Sequence, residues 1–166
     1  MGLEDAAPTG LLRGQVRLGA GQLSMDLELT GFVIHHARAV AVSCLRLWRV
    51  PELVVGDAAV VVGELLANAL DQTRKGQTPA TSVELLLQVA FGAVVVVVHD
   101  DHPHIPTIPE PGSANPYAAG SRGLELVRGI ATQFSFASSP RGGKDAFALI
   151  DHPRAAMAIG DQGTAA

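Results

Sequence analysis

The chain has 166 residues, of which 48% are hydrophobic and 17% charged, and this composition is typical of one compact globular domain rather than a disordered chain. The formal net charge is -4, and no Lys/Arg cluster is interleaved with aromatic residues, which argues against nucleic acid as a partner. The longest apolar run, residues 89–98, is too short to span a bilayer, and acids stand near the N-terminus where a secretory signal has bases. The single cysteine, Cys44, cannot form an internal disulfide, which fits a reducing compartment. From these features we expect a cytoplasmic protein with no membrane segment.

The two ends of the chain differ in composition from the middle. Residues 1–13 and 151–166 are rich in Ala, Gly and small polar residues and show no apolar period, so we predict flexible ends around one domain over residues 14–150. Residues 15–30 alternate apolar and polar side chains around two glycines. This pattern predicts a hairpin, or one strand preceded by an arm.

Two helices are predicted next. Apolar residues recur at helical spacing over residues 31–48, with Thr30 as the N-cap and Pro51 beyond the end. The second helix is predicted over residues 54–74. In chain order, the two predicted helices therefore come between the first strands and the central strands of the sheet.

The second half of the chain predicts four further elements. Two buried strands flank a tight turn at residues 91–93, and a segment with five prolines and no apolar period follows from residue 102 to 121. A short helix opens at Gly123, and residues 133–150 form a closing hairpin. Because helices and strands are segregated, we predict an α+β fold, a two-layer sandwich with a mostly antiparallel, mixed sheet and about three helices on one face.

The second predicted helix carries a row of polar residues on an otherwise apolar rod. Glu64 and Asn68 are four residues apart, and Asp57, Asp71 and Lys75 extend the same row. Such a row either faces water or lines a polar pocket, and the helix pattern alone does not distinguish the two.

Four segments then occur in a fixed order: ELLANAL on a helix, VVVHDDHP at the end of a strand, GSRGLELV at a helix start, and GGKDAFALI in the last strand. This order resembles the histidine kinase-like ATPase domain, also called the GHKL or Bergerat fold. The resemblance is closest to its stand-alone branch of bacterial anti-sigma factor serine/threonine kinases, and it spans about residues 30–150. It implies that the domain binds ATP and Mg²⁺.

The resemblance also implies a role for each segment. A helix carboxylate in a nucleotide cleft can accept a proton, which makes Glu64 the catalytic base, and the Asn68 carbonyl suits a hard cation such as Mg²⁺. Asp100 corresponds to the family's adenine-binding carboxylate. The glycine-rich segment corresponds to the phosphate-binding loop and helix start, where backbone amides attract anions. Its cofactor-binding residues are Gly120, Arg122, Gly123 and Leu124.

Three positions depart from the family pattern. Ser121 stands where a glycine is usual, and Asp101-His102 replaces a glycine-containing turn after Asp100. Asp145 stands where a threonine commonly helps to bind adenine, and two carboxylates near one base repel each other unless one is protonated or turned away.

The resemblance implies a serine/threonine kinase, expected to be a homodimer, that sequesters a sigma factor and phosphorylates the antagonist of its own anti-sigma activity. The alternative is a non-enzymatic protein-binding regulator with a degenerate ATP site on the same fold. A third hypothesis, the catalytic half of a two-component sensor kinase, is weakest, because no His-Glu-Leu-Arg-Thr-Pro segment accompanies His35 or His36.

Overall fold

Residues 15–75, 82–112 and 121–152 are the part of the chain that the structure, a computed structural model, describes. These residues form six strands and three helices. In chain order they are β1 Val16–Gly19, β2 Gln22–Leu27, α1 Gly31–Leu47, α2 Glu52–Lys75, β3 Val83–Ala90, β4 Ala93–Asp100, α3 Ser121–Ile130, β5 Gln133–Ser138 and β6 Lys144–Asp151.

The strands form one open sheet in the order β1-β2-β3-β4-β6-β5, in which every neighbouring pair is antiparallel. The turn between β3 and β4 holds Phe91 at φ 52 and Gly92 at φ 77, two consecutive left-handed residues of the kind that tight hairpins need. The predicted α+β sandwich is therefore confirmed, with a sheet in which all the pairs are antiparallel.

Alternation along the strands places one face of the sheet against the helices. Val94, Val96 and Val98 of β4 are buried on that face, while the intervening residues of the strand point to the other side. The helical face continues onto β3 and β6 through cross-strand pairing. The core of the protein is thus the layer between this face and the helices.

The helices begin and end close to their predicted limits. The Thr30 hydroxyl accepts a hydrogen bond from the Val33 N–H at 3.1 Å, which confirms the predicted N-cap of α1. Helix α2 begins at Glu52, two residues before the prediction, and the Val55 N–H donates to the Pro51 carbonyl at 3.0 Å. By length and composition α2 is apolar enough to cross a membrane, but more than half of that span is buried inside the domain, where the helix packs in the core.

The predicted flexible ends lie almost wholly outside the described residues. The exception is the start of the C-terminal end, because β6 continues to Asp151 and the His152 N–H donates to the Gly92 carbonyl at 2.7 Å. The last strand is therefore one residue longer than predicted.

Candidate functional site

The polar row of α2 is exposed at its start and most buried at Asn68. Asp57 is exposed, Glu64 and Asp71 are half-buried, and Asn68 is only 6% exposed. The side chain of Lys75 lies outside what the structure describes. A row that simply faced water would keep Asn68 exposed, so its middle section lies inside the domain, where α2 contacts α3, β4 and β6.

Asn68 is a buried residue whose side-chain amide makes no hydrogen bond among the described residues. Its side chain makes no hydrogen bond with any residue in the described ranges, although nearly all of its surface is covered. Its amide atoms still reach solvent, because among the described residues only His152 Nδ1 is a fully buried side-chain nitrogen or oxygen without a partner, so water or a ligand can satisfy the Asn68 amide. The amide oxygen is a hard donor that suits Mg²⁺, so the residue fits the metal-binding role that the sequence predicts.

One turn before Asn68, the Glu64 carboxylate lies against the first turn of α3. A methyl group built on Gly123 would come within 2.2 Å of Glu64 Oε2, so only glycine leaves room for the carboxylate in this position. A negative group at a helix N-terminus also interacts favourably with the helix dipole. The structure therefore brings together Glu64 and Gly123, two predicted site residues that are far apart in the sequence.

Asp100 ends β4 and is 3% exposed. Its Oδ1 atom accepts a hydrogen bond from the Nζ of Lys144 at 2.7 Å and another from the His102 N–H at 2.9 Å. Lys144, the first residue of β6, is fully buried and also donates to the His102 carbonyl at 3.0 Å. Asp100 is thus part of a buried ion pair.

Sequence analysis did not identify Lys144. A signal was present in the sequence, because alternate residues of a strand point to the same face of the sheet. Lys144 alternates with Ala146, Ala148 and Ile150 in this way, and these three residues all face the core.

Asp145 does not share a site with Asp100. The two residues that face each other across β4 and β6 are Asp100 and Lys144, so Asp145 points to the opposite side of the sheet. There Asp145 Oδ1 lies 2.7 Å from Nδ1 of His99. The expected repulsion between two carboxylates at one base is therefore absent, because Asp145 is turned away.

The glycine-rich segment is only partly brought to this site. Gly120 lies outside the described residues. The Leu124 side chain is 3% exposed and packs in the hydrophobic core, so only its backbone is available to a ligand. Arg122 is exposed and lines a surface groove along α3 with Glu125, and the described lining of that groove includes neither Glu64 nor Asn68.

Part of the proline-rich segment is attached to α3. Arg128 donates to the Pro109 carbonyl at 2.8 Å and to the Glu110 carboxylate at 3.2 Å, and the Gly112 N–H donates to Glu125 at 2.6 Å. These contacts hold residues 109–112 of the segment against α3. Residues 113–120 lie outside the described part of the chain.

These residues give the site a definite chemical capacity. Glu64 supplies a carboxylate that can accept a proton, Asn68 supplies an oxygen ligand for a divalent cation, and Asp100 supplies a hydrogen-bond acceptor at the end of the central strand. The donor set fits Mg²⁺ and a nucleotide.

Comparison with known proteins supports the same interpretation. The family model described as the histidine kinase-like ATPase domain matches residues 33–144, which is more than half of the chain. A search of curated proteins finds no match to the sequence. The matched range runs from α1 to the first residue of β6 and includes Glu64, Asn68, Asp100, Gly123 and Lys144.

Proposed function

The chain belongs to the histidine kinase-like ATPase domain family, and we propose that it is an ATP-dependent regulator that resembles the anti-sigma factor serine/threonine kinases. Membership of the family implies nucleotide binding, typically with Mg²⁺. In this proposal the protein sequesters a sigma factor in the cytoplasm as a homodimer, and it phosphorylates a serine or threonine of an antagonist protein.

The observation that carries this proposal is the amide of Asn68, a residue only 6% exposed on α2 that makes no hydrogen bond among the described residues. The amide oxygen of Asn68 would hold a Mg²⁺ ion, which would supply positive charge to stabilise the transferred phosphoryl group. Glu64, on the same face one turn earlier, is the group that would accept the proton of the attacking hydroxyl. Bound ATP would supply the phosphoryl group.

Calorimetric titration with Mg-ATP tests the proposal. The wild type should bind, and Asn68→Ala should bind at least tenfold more weakly, because the variant loses the metal ligand while alanine is a good helix former. Asp57→Ala is the matched control, since Asp57 belongs to the same polar row but is exposed at the start of α2. Undetectable binding by the wild type, or equal losses in the two variants, would refute the proposal.

A second function, protein binding on the same fold without ATP turnover, is favoured by one observation. Two hydrogen bonds donated by Arg128 and one accepted by Glu125 hold residues 109–112 on α3, whereas a segment that closes over ATP in a kinase is expected to be ordered only by its ligand. Hydrogen exchange over residues 102–112 distinguishes the two functions. Protection that increases with Mg-ATP supports the kinase, while protection that is already complete without nucleotide supports the binding module.

A further inference from the structure

The strands at the centre of the sheet are apolar on both faces. Strand β4 contains five consecutive valines, residues 94–98, and β6 contains an apolar run over residues 146–150. A strand with one solvated face alternates apolar and polar side chains, whereas a continuous apolar run is typical of a strand that is covered on both faces. The helices cover only one face. The opposite face, the outer face, has no cover among the described residues although its sequence is typical of a covered one.

The registers of the strands arrange the outer face as an apolar centre between two polar rows. The centre consists of half-buried apolar side chains from three adjacent strands, Leu86, Val95, Val97, Phe147 and Leu149. One end carries a row of carboxylates, the acidic row, formed by Asp26, Glu84 and Asp145. The other end carries a row of exposed amides, the glutamine row, formed by Gln22, Gln88 and Gln133. An apolar centre with a polar rim is the usual composition of a protein interface.

The outer face is large enough for a stable interface. Strands of four to eight residues, about 4.8 Å apart and rising about 3.4 Å per residue, give this face roughly 650 Å² in projection. Side chains raise the accessible area above the projected area, and a stable interface buries about 800 Å² on each partner. A second sheet of the same size would therefore cover the face, as the two sheets of a β-sandwich cover each other.

We propose that the outer face is the interface of a homodimer, in which the sheets of two copies of the chain pack against each other. The inference rests on the proposed function for the homodimer alone, and neither ATP nor Mg²⁺ takes part in it. A two-fold contact brings the same patch of both copies together, so the apolar centre must meet itself. Its valine, leucine and phenylalanine side chains can do so without burying a polar group.

Charge decides how the two sheets are oriented. The acidic row holds three carboxylates; Arg141 donates to Glu84 at 2.8 Å and cancels one charge, and His99, beside Asp145, cancels at most one more. If the two-fold axis ran along the strands, the acidic rows of the two copies would face each other and repel. With the axis across the strands, each acidic row lies over the glutamine row of the other copy. The Gln88 amide of one copy can then donate to Glu84 of the other.

Sedimentation equilibrium of the full chain measures the dissociation constant of the dimer. Val97→Lys puts a charge at the apolar centre and should raise this constant about 100-fold or more, because the interface would bury two unpaired ammonium groups. Leu53→Lys is the matched control, since it adds the same charge at a side chain that is 86% exposed on α2. The control should leave the dissociation constant unchanged.

Variants of the glutamine row test the orientation. Gln88→Lys should lower the dissociation constant by about 2- to 30-fold, because two-fold symmetry forms the new ion pair with Glu84 twice. Gln88→Glu should raise it by a similar factor. The gain of Gln88→Lys should disappear when it is combined with Glu84→Gln. Because Gln88 is exposed, its variants keep the inference falsifiable even if Val97→Lys does not fold.

Three results would overturn the inference. A wild type that stays monomeric at every concentration would mean that a terminal segment of the same chain or a different protein covers the outer face. Equal dissociation constants for Val97→Lys and Leu53→Lys would locate the interface elsewhere and leave the homodimer standing. Shifts of the same sign in Gln88→Lys and Gln88→Glu would exclude this orientation. The Mg-ATP titration is independent of all three results, so a failure of the proposed ATP site is detected separately.

Discussion

The contact between Glu64 and Gly123 predicts that Gly123→Ala will impair phosphoryl transfer without unfolding the protein. The added methyl group would lie 2.2 Å from Glu64 Oε2 and 3.3 Å from Cδ. The oxygen must withdraw by roughly 1 Å to reach ordinary contact distance. Because the colliding atom is the end of a flexible, half-buried side chain, the carboxylate will move rather than the helix.

Gly123→Ala should change the rate of phosphoryl transfer much more than it changes the free energy of unfolding. A misplacement of about 1 Å in a catalytic group costs about 10²-fold in rate. In stability, replacing glycine by alanine in a helix contributes at most about 1 kcal/mol. Forcing Glu64 into a strained rotamer costs on the order of 0.5–1.5 kcal/mol, so the two effects nearly cancel.

The assay compares Gly123→Ala with Gly129→Ala, which lies in the same helix and has no atom within 4 Å of its added methyl group. Phosphoryl transfer is measured together with urea unfolding, followed by the fluorescence of the single tryptophan, Trp48. Gly129→Ala should keep full activity. In a Glu64→Ala background, Gly123→Ala should become stabilising, by about as much as its helix propensity allows.

Two results would contradict this reasoning. Equal transfer rates in Gly123→Ala and Gly129→Ala would mean that the position of Glu64 does not matter for the chemistry. A stability effect of Gly123→Ala that is the same with and without the Glu64 carboxylate would mean that the two groups do not meet in solution. The second result is independent of catalytic activity.

Three further predictions concern other residues. Glu64→Gln should keep Mg-ATP affinity and lower phosphoryl transfer by about 10²- to 10⁴-fold, the usual contribution of a positioned base, and an unchanged rate would remove Glu64 from the mechanism. Gly143→Ala should destabilise the protein by about 2 kcal/mol or more relative to Gly142→Ala in urea unfolding, because both have positive φ but only the former meets backbone atoms. Burial raises the pKa of the Cys44 thiol, so alkylation of the folded protein at neutral pH should be slower than alkylation of free cysteine and should accelerate as pH rises. Mass spectrometry measures the alkylated fraction over time, and faster alkylation of the folded protein than of free cysteine would contradict this prediction.

Local patterns sufficed for most of the fold because burial follows local periodicity. The alternation in β3 and β4 and the Thr30 cap are properties of a few adjacent residues, and all three were predictable. The start of α2 was missed for a local reason as well. Pro51 indicated the end of α1, but its carbonyl also accepts the first hydrogen bond of α2, so the same residue ends one helix and begins the next.

The contacts of the candidate site were less predictable, because they join elements distant in sequence. Parity alone could have placed Lys144 on the core face, but its pairing with Asp100 requires that β6 lie next to β4, while β5 occupies the edge. The same topology turns Asp145 toward His99. Likewise, the sequence of α3 contains nothing to indicate that Gly123 meets a carboxylate of α2.

One glycine in each of the two motifs is accounted for by a contact within the protein. Gly123 makes room for Glu64, and Gly143 makes room for the backbone of Asp100. These two glycines are therefore weak support for a bound phosphate, since the position of the Glu64 side chain accounts for Gly123 and the backbone of Asp100 accounts for Gly143. The support for a ligand comes from two groups that make no hydrogen bond among the described residues, the amide of Asn68 and Oδ2 of Asp100. Because these two groups are free to form hydrogen bonds with a ligand, they, more than the glycine pattern, should determine which ligand the protein binds and how tightly.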